Sequence, residues 1–214
     1  MYLWSVNYLA HIYLSGSSVL HSVGNFIADD VKGSDWKNYP KAIQDGINLH
    51  RAIDSFTDNH ILFKKHVRLL FPKYRHYSRV IVDMYYDHLL AHHWSRYHPL
   101  SLNRFAQKFY NDLEKYLNLL PKGYNRRVLI IKQENWLLKY RSKKSFKDVL
   151  KQMESRTRFP SNLSKSTKEL TLHWDLLSQD FKIFFKDLCI FCKSHPKSGV
   201  YQELPYFDGL NSVL

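Results

Sequence analysis

Apolar residues recur along this chain at intervals of three to five positions, which is the spacing of an α-helix. The clearest case is residues 75–96, where Val80, Met84, Leu89 and Trp94 follow one another at this spacing. No segment of convincing length alternates apolar and polar residues in the manner of a β-strand. The pattern therefore predicts an all-α fold.

Breaks in this pattern divide the chain into a series of predicted helices. They cover residues 5–14, 18–31, 40–53, 75–96, 101–120, 125–140, 146–157 and 166–193. The third helix is expected to continue through His50 and Asp58, with a bend near Asn59, to a break at Phe71-Pro72. Ser101 and Ser145 are predicted N-caps. We expect residues 1–195 to form a single-domain helical bundle and residues 196–214 an irregular tail.

Composition agrees with this architecture and adds a strong charge. The 214 residues are 44% hydrophobic, enough for one domain with a substantial core, and only 7 Gly and 7 Pro occur. The formal net charge of +13 favours a polyanionic partner, although a basic protein without such a partner remains an alternative. The basic residues concentrate between Lys64 and Arg79 and between Arg126 and Lys144.

Cysteine usage and hydropathy indicate a cytoplasmic protein. Cys189 and Cys192 form a lone Cys-x-x-Cys in an apolar run, which we interpret as reduced core thiols. No run of 18 apolar residues occurs, so we expect no transmembrane segment. The first 14 residues lack the basic region and cleavage site of a signal peptide.

Four short segments place acid, histidine or asparagine side chains four residues apart. They are Asn7-Tyr-Leu-Ala-His11, Asn25-Phe-Ile-Ala-Asp29, His50-Arg-Ala-Ile-Asp54 (continuing to Asp58) and Asp83-Met-Tyr-Tyr-Asp87-His88. Residues i and i+4 share one face of a helix. Most residues between them are apolar, and a buried carboxylate is costly unless it is paired, hydrogen-bonded or bound to a metal. The segments therefore predict a metal-dependent hydrolytic centre.

The residue types narrow the chemistry of that centre. Mixed histidine and aspartate ligation suits Mn, Fe, Mg or Zn, and carboxylates favour the harder ions. Arg51 could clamp a phosphate or form a structural ion pair. Asn7 and Asn25 could orient ligands, bind substrate or cap helices.

With these four motifs the chain resembles the acyl-carrier-protein phosphodiesterase family. The resemblance covers roughly residues 6–190, and its specificity is concentrated in the first 94. It implies an all-helical fold distantly related to the HD-type metal phosphohydrolases, and a divalent cation, typically Mn²⁺, with Mg²⁺ or Fe²⁺ as alternatives. It also implies cleavage of the phosphodiester between 4′-phosphopantetheine and a serine of acyl carrier protein, giving the apo-carrier. Asp29 is the acid that the resemblance makes essential.

The resemblance and the motifs together give a set of site predictions. The predicted metal ligands are His11, Asp29, His50, Asp54, Asp87 and His88. Asp58 or Asp83 is the predicted general base, and Arg51 or Lys32 offsets charge on the phosphoryl oxygens. Asn7, Asn25 and Lys32 are predicted to bind substrate. An acidic acyl carrier protein is the expected partner of a basic enzyme.

Two other functions remain open at this point. One is an HD-like metal phosphohydrolase that acts on a nucleotide or another small phosphodiester. The other is a non-enzymatic basic helical module that binds nucleic acid. No helix-turn-helix or zinc-finger pattern supports the second, so we expect no stable nucleic-acid complex. The sequence does not determine the oligomeric state.

Overall fold

The computed structural model describes residues 8–194, which fold into α-helices joined by short 3-10 turns, with no β-strand in that range. The helices are α1 (Tyr8–Leu14), α2 (Val19–Ile27), α3 (Lys41–Asn59), α4 (Ile61–Tyr74), α5 (Ser78–His92), α6 (Leu102–Glu114), α7 (Tyr124–Gln133), α8 (Trp136–Lys139), α9 (Lys143–Glu154), α10 (Thr167–Leu172) and α11 (Trp174–Ser194). This confirms the all-α prediction. The predicted tail at 196–214 lies outside the described residues, as does Asn7. None of the described helices has the length and apolarity needed to cross a bilayer.

Two helices in the first half of the chain have boundaries that differ from the predicted ones. α2 ends at Ile27 and gives way to a 3-10 turn at Ala28–Asp30, so Asp29 lies on that turn and not within a helix. α4 continues through the expected break at Pro72 and ends at Tyr74. Pro72 removes one backbone donor only near the helix end, where few further hydrogen bonds depend on it. The predicted bend near Asn59 is confirmed, because His60 is extended between α3 and α4.

Short interruptions divide two helices of the second half that were predicted to be continuous. Asn135 has a positive φ of 44° and separates α7 from α8, a conformation that asparagine tolerates better than most residues. His173 leaves helical geometry between α10 and α11. Ser142 caps α9 by accepting a hydrogen bond from the Ser145 backbone, so Ser145 is not the cap. The predicted cap at Ser101 is confirmed.

A close crossing of α2 and α3 determines the position of the functional site. Gly24 and Gly46 face each other where the two helices cross. A Cβ at Gly24 would overlap the carbonyl oxygen of Ile43, and a Cβ at Gly46 would overlap that of His21. Only glycine therefore allows this approach, which brings Asn25 next to His50.

The remaining helices enclose this crossing in one apolar core. α5 is buried along most of its length and contacts α1, α4 and α11. Cys189 and Cys192 are buried on α11 and are not joined by a disulfide, as predicted. The core therefore surrounds the short polar segments of α1, α2, α3 and α5.

Candidate metal centre

His11 and His50 stack against each other at the centre of the helical bundle. Their ring centroids are 4.1 Å apart and their planes differ by 22°. The side-chain oxygen of Asn25 lies 2.9 Å from Nδ1 of His11 and 3.0 Å from Nδ1 of His50. The Asn25 amide nitrogen donates to the carbonyl of His11, so the amide orientation is consistent. One asparagine thus aligns both rings.

These hydrogen bonds determine which ring nitrogens are available. Because the Asn25 oxygen can only accept, each Nδ1 must carry a proton. In a neutral imidazole the other nitrogen, Nε2, then keeps its lone pair. Both Nε2 atoms point away from Asn25 and toward carboxylates. A hydrogen bond on the far nitrogen of this kind is the usual way proteins orient a histidine that binds metal.

Two carboxylates face these Nε2 atoms. Asp54 bridges the histidines, with one oxygen 3.3 Å from Nε2 of His11 and the other 3.1 Å from Nε2 of His50. Asp29 lies 3.1 Å from Nε2 of His50. Asp54 is 47% exposed and Asp29 is 36% exposed, whereas both histidines are buried. The cluster is therefore open to solvent on its carboxylate side only.

The electrostatics of the cluster favour a positive charge on His50. Burial works against a charge on His50, but hydrogen bonds to Asp29 and Asp54 outweigh it and raise the pKa of His50 to about 10. Burial also opposes the charge of Asp54, yet hydrogen bonds with His11 and His50 hold the pKa of Asp54 well below its usual range. A cation between these groups would replace the proton that His50 otherwise holds.

The arrangement fits a divalent metal ion. His11, His50 and Asp54 offer ligand atoms that all lie within 4.8 Å of one another, and they are the only such group among the described residues. Asp29 is positioned to add a carboxylate from the neighbouring turn. Two imidazoles and one or two carboxylates suit Mn²⁺, Fe²⁺ or Zn²⁺. Of the predicted ligands, the structure thus brings together His11, Asp29, His50 and Asp54.

A cavity of about 360 Å³ opens beside His11 and Asp54. Its walls combine the site helices with α11, which supplies Phe184 and Leu188. The polar lining includes Asp54, Asp58, Asp83 and Asp87 together with Thr57, His76 and Arg79. The cavity lining therefore combines acidic and apolar side chains.

Asp83 and Asp87 line this cavity but play different structural roles. Asp87 accepts hydrogen bonds of 2.9 Å from the backbone of Leu9 and Ala10, so it orients α1 and with it His11. Burial raises the pKa of Asp87 to about 7 in spite of these bonds. Burial and the carboxylates of Asp54, Asp58 and Asp87 raise the pKa of Asp83 well above its usual range. Asp83 thus favours its protonated form.

The structure does not bring His88 to the cluster. Its Nδ1 donates to the carbonyl of Tyr140, and its ring stacks on Phe146 at a centroid distance of 4.7 Å. His88 follows Asp87 directly, so it projects about 100° around α5 from that carboxylate. Burial lowers its pKa to about 4. We therefore leave His88 out of the ligand set, and we assign Asp87 to the support of α1.

The other predicted site residues lie around the edge of the centre. Arg51 is exposed and donates to the carbonyl of Val31 at 3.3 Å, and no ion pair to it is found among the described residues. Lys32 is exposed just after the turn that carries Asp29. Neither lines the cavity. Asp58 does line it and forms an ion pair with Arg79.

Sequence reasoning missed Arg79 and the contribution of α11 to the cavity. Arg79 was grouped with the other basic residues, although it lies four positions before Asp83 and so shares a helix face with it. That spacing was a usable signal. Phe184 and Leu188 carried no comparable signal, because only the tertiary fold brings α11 to α3 and α5.

Replacing Asn25 by Ala is expected to weaken Mn²⁺ binding by roughly 10- to 100-fold, the usual effect of losing a side chain that orients metal ligands. The physical reason is that both histidine rings lose the acceptor that holds them. Calorimetric titration with Mn²⁺ measures the change. Asn111→Ala, on the exposed side of α6, is the matched control. Unchanged affinity in Asn25→Ala would refute this role.

Comparison with known proteins agrees with the motifs. Residues 6–188 match the model of the family described as acyl carrier protein phosphodiesterase. The match spans all four motif segments, and it covers more than half of the chain.

Individual relatives give the same result. A protein from Klebsiella pneumoniae subsp. pneumoniae named acyl carrier protein phosphodiesterase is 31% identical over 184 residues, 86% of this chain and 95% of its own length. The protein of that name from Enterobacter sp. strain 638 is 30% identical over 190 residues, 88% of this chain and 98% of its own length. The one from Yersinia pestis is 30% identical over 181 residues, 84% and 94% of the two chains.

No solved structure matches this chain significantly, so the predicted HD-like relationship stays a prediction. The family itself is established by the length of the match and by relatives that align over nearly their whole length. The chain is therefore an enzyme of the acyl carrier protein phosphodiesterase family, which confirms the resemblance carried by its motifs.

Proposed function

We propose that this protein hydrolyses the phosphodiester that links 4′-phosphopantetheine to a serine of holo-acyl carrier protein, releasing the apo-carrier. Family membership supports the reaction. The observation that carries the proposal is the convergence of His11, His50 and Asp54 beside a cavity of about 360 Å³. Such a centre suits phosphodiester hydrolysis, because it can offset the charge on phosphoryl oxygens.

We assign the metal to His11, His50 and Asp54, with Asp29 as a further carboxylate ligand. Mn²⁺ is the ion we expect, because carboxylates favour harder ions and imidazole suits transition metals. A bound divalent cation polarises a phosphoryl oxygen and lowers the pKa of water. Asn25 prepares the site for it by holding both Nε2 lone pairs toward the carboxylates.

The other residues of the cavity hold protons and exclude water. Phe184 and Leu188 form an apolar wall that limits solvent access to the reacting bond. Asp83, with its raised pKa, holds a proton that it can donate to a departing oxygen.

Electrostatic attraction is expected to speed encounter with the carrier. The enzyme carries a formal charge of +13, and acyl carrier protein is acidic. We expect kcat/KM to fall steeply as NaCl is raised from about 50 to 500 mM, with kcat nearly constant, because the Debye length is about 10 Å at 0.1 M and shortens as salt is added. Steady-state kinetics across the salt series measure this. A kcat/KM that does not depend on salt would exclude electrostatic steering.

The proposed reaction can be tested by the mass of the carrier. Purified protein is incubated with holo-acyl carrier protein and Mn²⁺, with and without a chelator, and the carrier is followed by intact mass spectrometry. Loss of the phosphopantetheine mass only when metal is present supports the proposal. An unchanged carrier, when metal is bound, would indicate a different phosphorylated substrate. An unchanged carrier and no bound metal would refute the catalytic assignment.

A further inference from the structure

Arg79 provides the fixed positive charge of the cavity. It lies in the first turn of α5, and its guanidinium forms an ion pair with Asp58 near the end of α3. The guanidinium also lies over the ring of the buried Phe63, 5.9 Å from its centroid. Contact with an aromatic face limits the positions that the guanidinium can adopt. Arg79 is thus held in place at the cavity by two neighbours.

The cavity needs such a charge if it receives a phosphodiester. Among the described residues, its lining contains four aspartates and a single arginine or lysine, which is Arg79. A metal at His11 and Asp54 would offset only part of this negative charge. The Asp58 carboxylate would still repel the phosphoryl oxygens. Arg79 forms its ion pair with that carboxylate.

We propose that Arg79 binds the phosphoryl oxygens of the substrate and that Asp58 is the positioning residue that holds Arg79 between turnovers. This inference rests on the proposed phosphodiesterase function. The planar fork of N–H donors on an arginine guanidinium matches the geometry of phosphate oxygens better than any other side chain. On binding, the guanidinium exchanges the Asp58 carboxylate for the phosphate.

The exposure of the ion pair makes this exchange easy. The side chains of Arg79 and Asp58 are 51% and 50% exposed, respectively. Ion pairs with this degree of exposure contribute little net stability, because water screens them. A phosphate held between Arg79 and a metal offers the guanidinium a stronger partner than one solvated carboxylate. The pair therefore keeps Arg79 in position without blocking it.

The backbone before Arg79 supports a functional role for this corner. Arg75 ends α4 with a positive φ of 49°, which is uncommon for a residue other than glycine. The 3-10 turn Arg75–Tyr77 places His76 in the cavity lining. α5 begins directly after this turn at Ser78, one residue before Arg79. Strained backbone of this kind is concentrated at ligand-binding sites.

The first test measures anion binding without turnover. Inorganic phosphate is titrated into wild type, Arg79→Gln and Arg79→Lys by calorimetry. We expect Arg79→Gln to weaken phosphate binding by roughly 10- to 100-fold, the loss typical of a hydrogen bond to a charged group. Arg79→Lys is expected to retain part of the affinity, because it keeps the charge but not the fork. Arg68→Gln removes the same charge from the exposed side of α4 and serves as the control.

Equal phosphate affinity in wild type and Arg79→Gln, or no phosphate binding to wild type at millimolar concentration, would overturn the inference. Thermal melts confirm that each variant is folded. If wild type fails to cleave holo-acyl carrier protein but still binds phosphate through Arg79, the proposed substrate is wrong and this inference stands.

Asp58 is tested by separating KM from kcat. Asp58→Asn frees Arg79, so we expect tighter phosphate binding, a KM for holo-acyl carrier protein that is no higher, and a kcat within a few fold of wild type. A general base would instead lose about 10²- to 10⁴-fold in kcat on this substitution. A fall in kcat of that size would overturn the positioning role of Asp58.

Discussion

Asp54→Asn is expected to reduce cleavage of holo-acyl carrier protein by well over 100-fold while the helical fold persists. Asp54 is the side chain that contacts Nε2 of both His11 and His50. Loss of a group that only orients a metal ligand costs roughly 10- to 100-fold, and loss of a ligand should exceed that. Because Asp54 is 47% exposed, the neutral side chain can be solvated and the fold can accommodate it.

The rate of carrier cleavage by intact mass measures this effect, and circular dichroism checks the fold. Asp45→Asn is the matched control, since Asp45 is also on α3 but pairs with Lys41 away from the centre. We expect the control to retain the wild-type rate. A wild-type rate in Asp54→Asn would mean that the reaction takes place elsewhere.

Gly46→Ala is expected to destabilise the protein by about 1–3 kcal/mol or more and to abolish activity. Alanine in a helix interior normally gains about 0.5–1 kcal/mol over glycine. Here that gain is outweighed, because the new methyl group would overlap the His21 carbonyl of α2, which is backbone and cannot rotate away. α2 must then move away from α3, and the hydrogen bonds between Asn25 and His50 are lost.

Urea denaturation measures the change in the free energy of unfolding. Gly123→Ala is a useful comparison, because a Cβ at Gly123 meets nothing within 4 Å although φ is +90°. It should cost about 1–2 kcal/mol through left-handed strain alone and should leave the catalytic rate unchanged. If Gly46→Ala were as stable and active as wild type, the close crossing of α2 and α3 would not be required.

Local sequence patterns predicted the all-α fold class, and they singled out four side chains that the structure brings together, His11, Asp29, His50 and Asp54. The helical period of α5 and the cap at Ser101 depend on neighbours within one or two turns, so they are readable from the chain. The i,i+4 spacing of His50 and Asp54 is confirmed as a pair on one face of α3. Family resemblance then supplied the activity, which spacing alone could not provide.

The grouping of residues between helices could not be predicted in the same way. His11 and His50 stack because α1, α2 and α3 meet around Asn25, and this depends on the packing at Gly24 and Gly46. His88 seemed equivalent to its neighbour Asp87 in the sequence. The two project in different directions from α5, so only one of them faces the cavity.

The interruptions of the helices were also set by tertiary structure. The break at Asn135 places Leu137 so that its backbone donates to Tyr110 of α6 at 2.8 Å. Such a contact between distant segments has no local signal. For the same reason the apolar period predicted one helix over 125–140 where the structure has two.

The most direct test of the central claim is a Mn²⁺ titration followed by electron paramagnetic resonance, which detects the free ion. We expect wild type to remove the signal of free Mn²⁺ at a fixed stoichiometry, and the His11→Ala/His50→Ala variant to leave it in solution. That result would place the metal at the centre formed by His11, His50 and Asp54. Equal Mn²⁺ binding by a folded double variant would contradict the account.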